Sequence, residues 1–200
     1  VEAIMERVRT LSALAAALLI VGLCSACSDD DRLSSDPISA AATSALDFTM
    51  TGIDGQPFAL TALKGKVVMI VNVASQCHFT PQYAALEQLY QRYSARGLVI
   101  LGVPANNFFH QEPGTDLEIQ RFCSSTYHVT FPMLAKVSVK GDDMCPLYRY
   151  LTIRSSKPGA ISWNFNKFLI DRSGQVIDRF GSSTDPDDAR VIAQIEKALE

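Results

Sequence analysis

Residues 67–103 read VVMIVNVASQCHFTPQYAALEQLYQRYSARGLVILGV. Residues 67–74 are apolar and largely β-branched, broken only by Asn72, the pattern of a strand covered on both faces inside a parallel sheet. Thr80 and Pro81 then supply a helix N-cap and a first-turn proline. Leu86, Leu89, Tyr90 and Tyr93 recur at helical spacing, and Gly97 ends the run. A second apolar strand follows at once over 98–103. Together these make a βαβ unit, whose two strands run parallel with a right-handed crossover. Cys77 falls just past the carboxyl end of the first strand, the edge at which open α/β sheets bind their ligands.

Outward from this unit, residues 48–50 and 58–60 flank Asp54 and Gly55, a turn pair that predicts a small antiparallel hairpin at the start of the domain. Thr115 and Glu118 form a capping-box pair opening a helix with Ile119, Phe122 and Cys123 on one face. Residues 131–139 return to strand character, and Pro146 starts a short helix through Leu151. Residues 167–170 and 175–180 straddle Ser173 and Gly174 as a second antiparallel hairpin. Pro186 opens a last helix with Val191, Ile195, Ala198 and Leu199 on one face. The order β, α, β, α, β, β, α predicts an α/β protein of thioredoxin-like fold: a central mixed β-sheet flanked by helices, with an extra N-terminal β-hairpin.

Length and composition agree with one such domain. Of 200 residues, 48% are hydrophobic and 20% charged, enough for a sizeable core and too apolar for disorder. The formal net charge of −3, with Asp29 to Asp31 as the longest run of like charge, argues against a nucleic-acid partner. Before the domain, Arg7 and Arg9 precede an apolar run over 11–23, short for a membrane span and suited to a signal-peptide core. Ser25 and Ala26 before Cys27 fit a bacterial lipobox better than Leu23 before Cys24, so residues 1–27 are expected to be a signal peptide with lipidation at Cys27. Simple secretory cleavage is the alternative. Residues 28–45, rich in Ser, Asp and Ala, read as a flexible tether, and 46–200 as the folded domain. The expected location is the cell envelope, periplasmic or extracytoplasmic, on a lipid anchor.

Cys77 is the nucleophile candidate, because the unpaired N–H groups of a following helix favour a thiolate there. A buried structural cysteine is the competing reading. No second cysteine lies two or three residues away, as the paired-thiol chemistry of disulfide oxidoreductases requires, which leaves that reading a weak rival. His110 and His128 lack metal-ligand spacing, and no metal or bound cofactor is expected.

Four blocks carry a resemblance to a known family. NVASQCHFTPQY (72–83) resembles the active-site segment of glutathione peroxidases in the form with cysteine in place of selenocysteine. GVPANNFFHQEPG (102–114) is similar to the segment usually written GFPCNQFGxQEPG. FPMLAKVSVKGDDMCPLY (131–148) and WNFNKFLIDRSGQVIDRF (163–180) resemble the next two conserved stretches. The blocks follow family order across nearly the whole chain after Leu46. The resemblance implies a thiol peroxidase that reduces hydrogen peroxide and organic or lipid hydroperoxides through a Cys77 sulfenic acid, in defence against oxidative stress. It implies a tetrad of Cys, Gln, Trp and Asn around the peroxide, with Cys77, Trp163 and Asn164 in three places and Asn107 in the place of the glutamine. Neutral indole and amide N–H donors can hold a thiolate and a peroxide oxygen without adding a competing base. His78 stands where the family commonly has glycine.

By the same resemblance Cys123 lies where thioredoxin-dependent members carry a resolving cysteine; a packing role beside Ile119 and Phe122 is equally compatible with its surroundings. Cys145 reads as structural. The short stretch between Leu151 and Trp163 is similar to that of the monomeric members, whose open site admits lipid hydroperoxides. Thioredoxin or glutathione would then be the thiol co-substrate. The competing non-enzymatic reading is a lipid-anchored redox sensor with slow turnover.

Overall fold

The computed structural model describes residues 41–200; the expected signal peptide, Cys27 and most of the tether lie outside the described residues. A four-stranded sheet forms the centre. Its parallel pair is β3 (Val67–Val73) and β4 (Leu98–Pro104), and β5 (Lys167–Ile170) and β6 (Val176–Phe180) add on antiparallel in the spatial order β4-β3-β5-β6. The N-terminal hairpin pairs β1 (Thr49–Thr51) with β2 (Pro57–Ala59) as a separate two-stranded sheet. At its turn Gly55 takes φ +81° and Asp54 accepts from the Gln56 N–H.

Every residue of β3 is buried, which explains its unbroken apolar run. Side chains alternate across a strand, so Val67, Met69, Val71 and Val73 face a layer built from α1 (Gln82–Tyr93), α2 (Asp116–Tyr127) and α4 (Ala189–Leu199). Val68 and Ile70 face the other layer, with Phe48, Leu60, Leu147, Tyr148 and Leu151. Each such side chain removed from water contributes roughly 1.5–3 kcal/mol. In α4 the buried residues are Val191, Ile195 and Leu199, the predicted stripe. The capping box of α2 forms as expected: Glu118 N–H donates to Thr115 Oγ1, and Glu118 Oε2 accepts from the Thr115 N–H.

Four expectations are corrected. Residues 131–139 do not form a strand; Met133 and Leu134 make only single bridges, to Gly102 and Gly52. Pro132 has no N–H to extend the ladder, although its carbonyl accepts from Gly102 N–H and thereby fastens the segment to β4. Thr80 does not cap α1, because its hydroxyl is turned back into the Cys77 loop. The last helix starts at Ala189 with Asp188 as its cap, later than Pro186. The helix at Pro146 is α3 (Pro146–Arg149), which widens into a π turn over Tyr150–Arg154.

Packing begins slightly ahead of Leu46. Ala45 N–H donates to the Gly174 carbonyl and Ser44 Oγ does the same, so the chain enters the fold clasped to the β5–β6 turn. Among the described residues no helix is long and apolar enough to cross a membrane.

Candidate active site

The carboxyl ends of β3 and β4 and the start of β5 lie on one edge of the sheet, because β5 runs antiparallel to β3. Three connecting loops meet there. Cys77 sits in the loop between β3 and α1, 7% exposed, with the Phe79 N–H 3.4 Å from its Sγ. The Thr80 hydroxyl braces this loop from inside. It accepts from Cys77 N–H and donates to the Ala74 carbonyl, each at 2.9 Å, while Thr80 N–H donates to the Cys77 carbonyl. Cys77 therefore has a fixed backbone and an N–H directed at its sulfur, which together hold the side chain in one place.

Asn72, the polar interruption of β3, sets the second loop. Wholly buried, it donates through Nδ2 to the Trp163 carbonyl at 3.0 Å and accepts from Asn166 N–H through Oδ1 at 3.0 Å. Asn166 Nδ2 donates to the same Trp163 carbonyl. Phe165 adopts φ +62° with its ring buried edge-on against Tyr83 at 5.5 Å. These restraints deliver Trp163 half-buried and Asn164 fully buried at the sheet edge. The indole packs against the same cluster of buried side chains that includes Cys77.

The third loop follows β4. Asn106 turns inward to accept from Glu112 N–H, and the backbone passes through two left-handed residues, Phe109 and His110. Gln111 comes out of this turn joined to both other loops. Its carbonyl accepts from Gln76 N–H at 3.0 Å, and its Oε1 accepts from Asn164 Nδ2 at 3.0 Å.

Asn107, expected as the amide beside Cys77, is exposed and engaged elsewhere. Its Nδ2 donates to Ser138 Oγ and the Lys140 carbonyl, and its Oδ1 accepts from Val139 N–H. The structure thus joins the loops that carry Cys77, Trp163 and Asn164, and the residue that joins them is Gln111, which sequence reasoning passed over. Phe108 is buried at this point, so its neighbour at 107 is turned outward. Gln111 stood in the same quoted block, in QEPG, and the signal that could have found it is the choice between two amide positions within that block.

Cys123 lies on α2, 1% exposed, and burial pushes its thiol up to about 11, opposed by the neighbouring Tyr83 hydroxyl. Burial likewise raises Cys145 to about 11. Cys77, Cys123 and Cys145 are all free thiols. His78 is exposed and lines, with Phe79, Gln82, Asp185 and Asp187, an open groove of about 540 Å³ beside the Cys77 loop. No group of three or more His, Cys, Asp or Glu side chains that could hold a metal ion occurs among the described residues.

Fold and site define a thioredoxin-fold protein with a thiol, Cys77, at a sheet edge where its loop is joined to those of Gln111 and Asn164. The sequence model of the glutathione peroxidase family matches residues 45–152. A glutathione peroxidase-like peroxiredoxin of Schizosaccharomyces pombe is 54% identical over 136 residues, 67% of this chain and 86% of the relative. A hydroperoxy fatty acid reductase of Synechocystis is 48% identical over 162 residues, 76% of this chain and 94% of the relative. Among solved structures, the apo form of Trgpx superposes with a TM-score of 0.64 at 36% identity, covering 79% of this chain and 97% of that one. The thioredoxin-family thiol:disulfide interchange protein of Chlorobium tepidum, at 22% identity and a TM-score of 0.54, shares the fold.

The chain belongs to the glutathione peroxidase family. It is a peroxidase that acts on hydroperoxides and takes its electrons from a thiol co-substrate in place of a bound cofactor.

Proposed function

We propose that Cys77 is the peroxidatic residue, and that Gln111, Trp163 and Asn164 hold the peroxide against it. The observation that carries this reading is the joining of the three loops: Gln111 is hydrogen-bonded at once to the backbone before Cys77 and to the Asn164 amide. Attack of the Cys77 thiolate on the terminal peroxide oxygen breaks the O–O bond. The departing alkoxide takes a proton and leaves as alcohol, or as water from hydrogen peroxide, and Cys77 becomes a sulfenic acid. Negative charge moves from sulfur to oxygen in this step, and neutral N–H donors aimed at the site stabilise that shift without supplying a competing base.

Cys123 then resolves the sulfenic acid. Its thiol gives the Cys77–Cys123 disulfide, releasing one water, and thioredoxin, or a comparable dithiol, returns both cysteines to thiols; glutathione is the alternative donor. Cys123 is buried on α2, so its release requires that helix to loosen. The sequence of the leader supports lipid attachment at Cys27 and an envelope location for a monomer, where tethering would raise the local concentration of oxidised lipid.

The test is peroxide consumption by wild-type and Cys77→Ser protein with thioredoxin and with glutathione as donor. Wild type is expected to turn over faster with thioredoxin, and Cys77→Ser to lose turnover with either, because serine forms no sulfenic acid. Turnover close to wild type in Cys77→Ser would overturn the assignment.

A further inference from the structure

Position 109 departs from the family segment GFPCNQFGxQEPG, which carries glycine there. The backbone has nevertheless kept a conformation that suits glycine: Phe109 has φ +51° and His110 follows at +53°, a region in which bulky L-residues are rarely found. The side chain held in this way is 81% exposed, the most exposed large hydrophobic among the described residues. Its ring centroid lies 5.4 Å from that of Trp163, while the buried Phe108 meets the same indole at 5.7 Å. Trp163 thus carries an uncovered aromatic neighbour, on the loop that brings Gln111 to the Cys77 loop.

The geometry points to Phe109 as a specificity-determining residue that, with Trp163, forms an apolar ledge for the fatty-acyl chain of a lipid hydroperoxide. The inference rests on the reading of Cys77 as the peroxidatic thiol. An exposed ring gains by covering apolar surface, and hydrogen peroxide offers none, whereas an acyl chain does. A cation beside Phe108 suits a carboxylate or phosphate: Lys140 Nζ stands 5.9 Å from the Phe108 ring centroid, on the loop that Asn107 fastens. Asp143, on the same loop, has Oδ1 occupied by the Ser138 hydroxyl. An acyl chain beside a carboxylate or phosphate describes a fatty-acid hydroperoxide or a phospholipid hydroperoxide, and the Synechocystis relative bears the name hydroperoxy fatty acid reductase.

The experiment compares kcat/KM for hydrogen peroxide, linoleic acid hydroperoxide and phosphatidylcholine hydroperoxide in the wild type, Phe109→Gly and Phe109→Leu. The readout is the ratio of each lipid value to the hydrogen peroxide value. In Phe109→Gly the ratio is expected to fall about tenfold, the scale set by a small change in apolar contact, whereas Phe109→Leu keeps most of it. A fall confined to the free acid or to the phospholipid identifies which of the two the ledge serves. An unchanged ratio in Phe109→Gly, or an equal loss in Phe109→Leu, overturns the inference while leaving the peroxidase reading intact. A wild-type protein that consumes none of the three peroxides overturns the peroxidase reading and the ledge with it.

Discussion

Asn164 donates its side-chain amide to Gln111 Oε1 at 3.0 Å, which ties the loop after β4 to the loop before β5. Asn164 is fully buried, with an Oδ1 that has no protein partner, so the bond to Gln111 fixes which way its amide faces. Gln111 is itself fixed by the Gln76 N–H. A buried amide anchored by one polar contact loses its orientation when that contact is removed.

Gln111→Leu is therefore expected to slow Cys77 oxidation about tenfold or more, equivalent to roughly 1.4 kcal/mol or more of lost transition-state stabilisation. Stopped-flow measurement of single-turnover oxidation checks this. Gln111→Glu keeps an acceptor for Asn164 but replaces the donor with a carboxylate that repels a thiolate, so a retained rate would show that Gln111 acts only through Asn164.

Asn107→Ala should show its effect in stability, not in the oxidation rate. It removes three hydrogen bonds that fasten residues 138–140, each worth about 0.5–1.5 kcal/mol net and less at an exposed position. Denaturant unfolding should give a loss within that range. A drop in rate as large as that of Gln111→Leu would restore position 107 to the site.

The contrast between 107 and 111 shows what the sequence could and could not convey. Strand periodicity and burial made β3 legible, because a strand with helices on both faces tolerates little but apolar residues. Its one exception, Asn72, was visible, but its bonds to Trp163 and Asn166 were not, since they join residues far apart in the chain. The direction of the 106–111 loop depends on two left-handed residues, Phe109 and His110, which no periodicity encodes. Residues 131–139 have strand composition, yet Pro132 and single-residue bridges keep them from forming one. The burial of Lys167, a cation at the start of β5, is another feature that the local sequence does not announce.

Cys123 provides the second test of the cycle. With its thiol at about 11 and its side chain buried, it should resist iodoacetamide in the reduced protein at neutral pH, and Cys77 should be alkylated first. After one equivalent of peroxide, peptide mapping should find the Cys77–Cys123 disulfide. In Cys123→Ser, Cys77 should progress to sulfinic acid as peroxide is raised. Discovery of Cys77 bonded only to added glutathione would mean that Cys123 takes no part.

Thr80 connects the nucleophile to the scaffold. Thr80→Val removes the acceptor for Cys77 N–H and the donor to Ala74 O, leaving buried polar groups unpaired at a cost of about 1–3 kcal/mol. Thr80→Ser keeps both bonds. Stability and Cys77 oxidation rate should fall together in the valine variant and recover in the serine variant; a valine variant as fast as wild type would show that the brace does not hold the sulfur in place.

Lys167 links the site's scaffold to pH. Its Nζ is enclosed by Gln82 Oε1 at 2.6 Å, Thr184 O at 2.7 Å and Phe165 O at 2.9 Å, and desolvation lowers its pKa to about 8 against the opposing pull of Asp185. Between about 8 and the ordinary 10.5 the unfolded chain holds a proton that the folded chain has released, so this group makes unfolding free energy rise with pH across that window. Below it both states are protonated and the cost of burying the cation is constant. The buried thiols Cys123 and Cys145 act in the opposite sense, since their raised pKa values keep protons on the folded chain from about 9 to 11. Comparison with Lys167→Met removes those shared contributions. The oxygens that the variant deprives of Nζ shift its stability by an amount that does not depend on pH, so the measurement is the slope. Urea unfolding from pH 7.5 to 10 should give a wild-type curve that gains on the variant as pH rises, by on the order of 3 kcal/mol if fully developed. Parallel curves would mean that Lys167 titrates in the folded protein as it does in water, and that the oxygens around it compensate its burial.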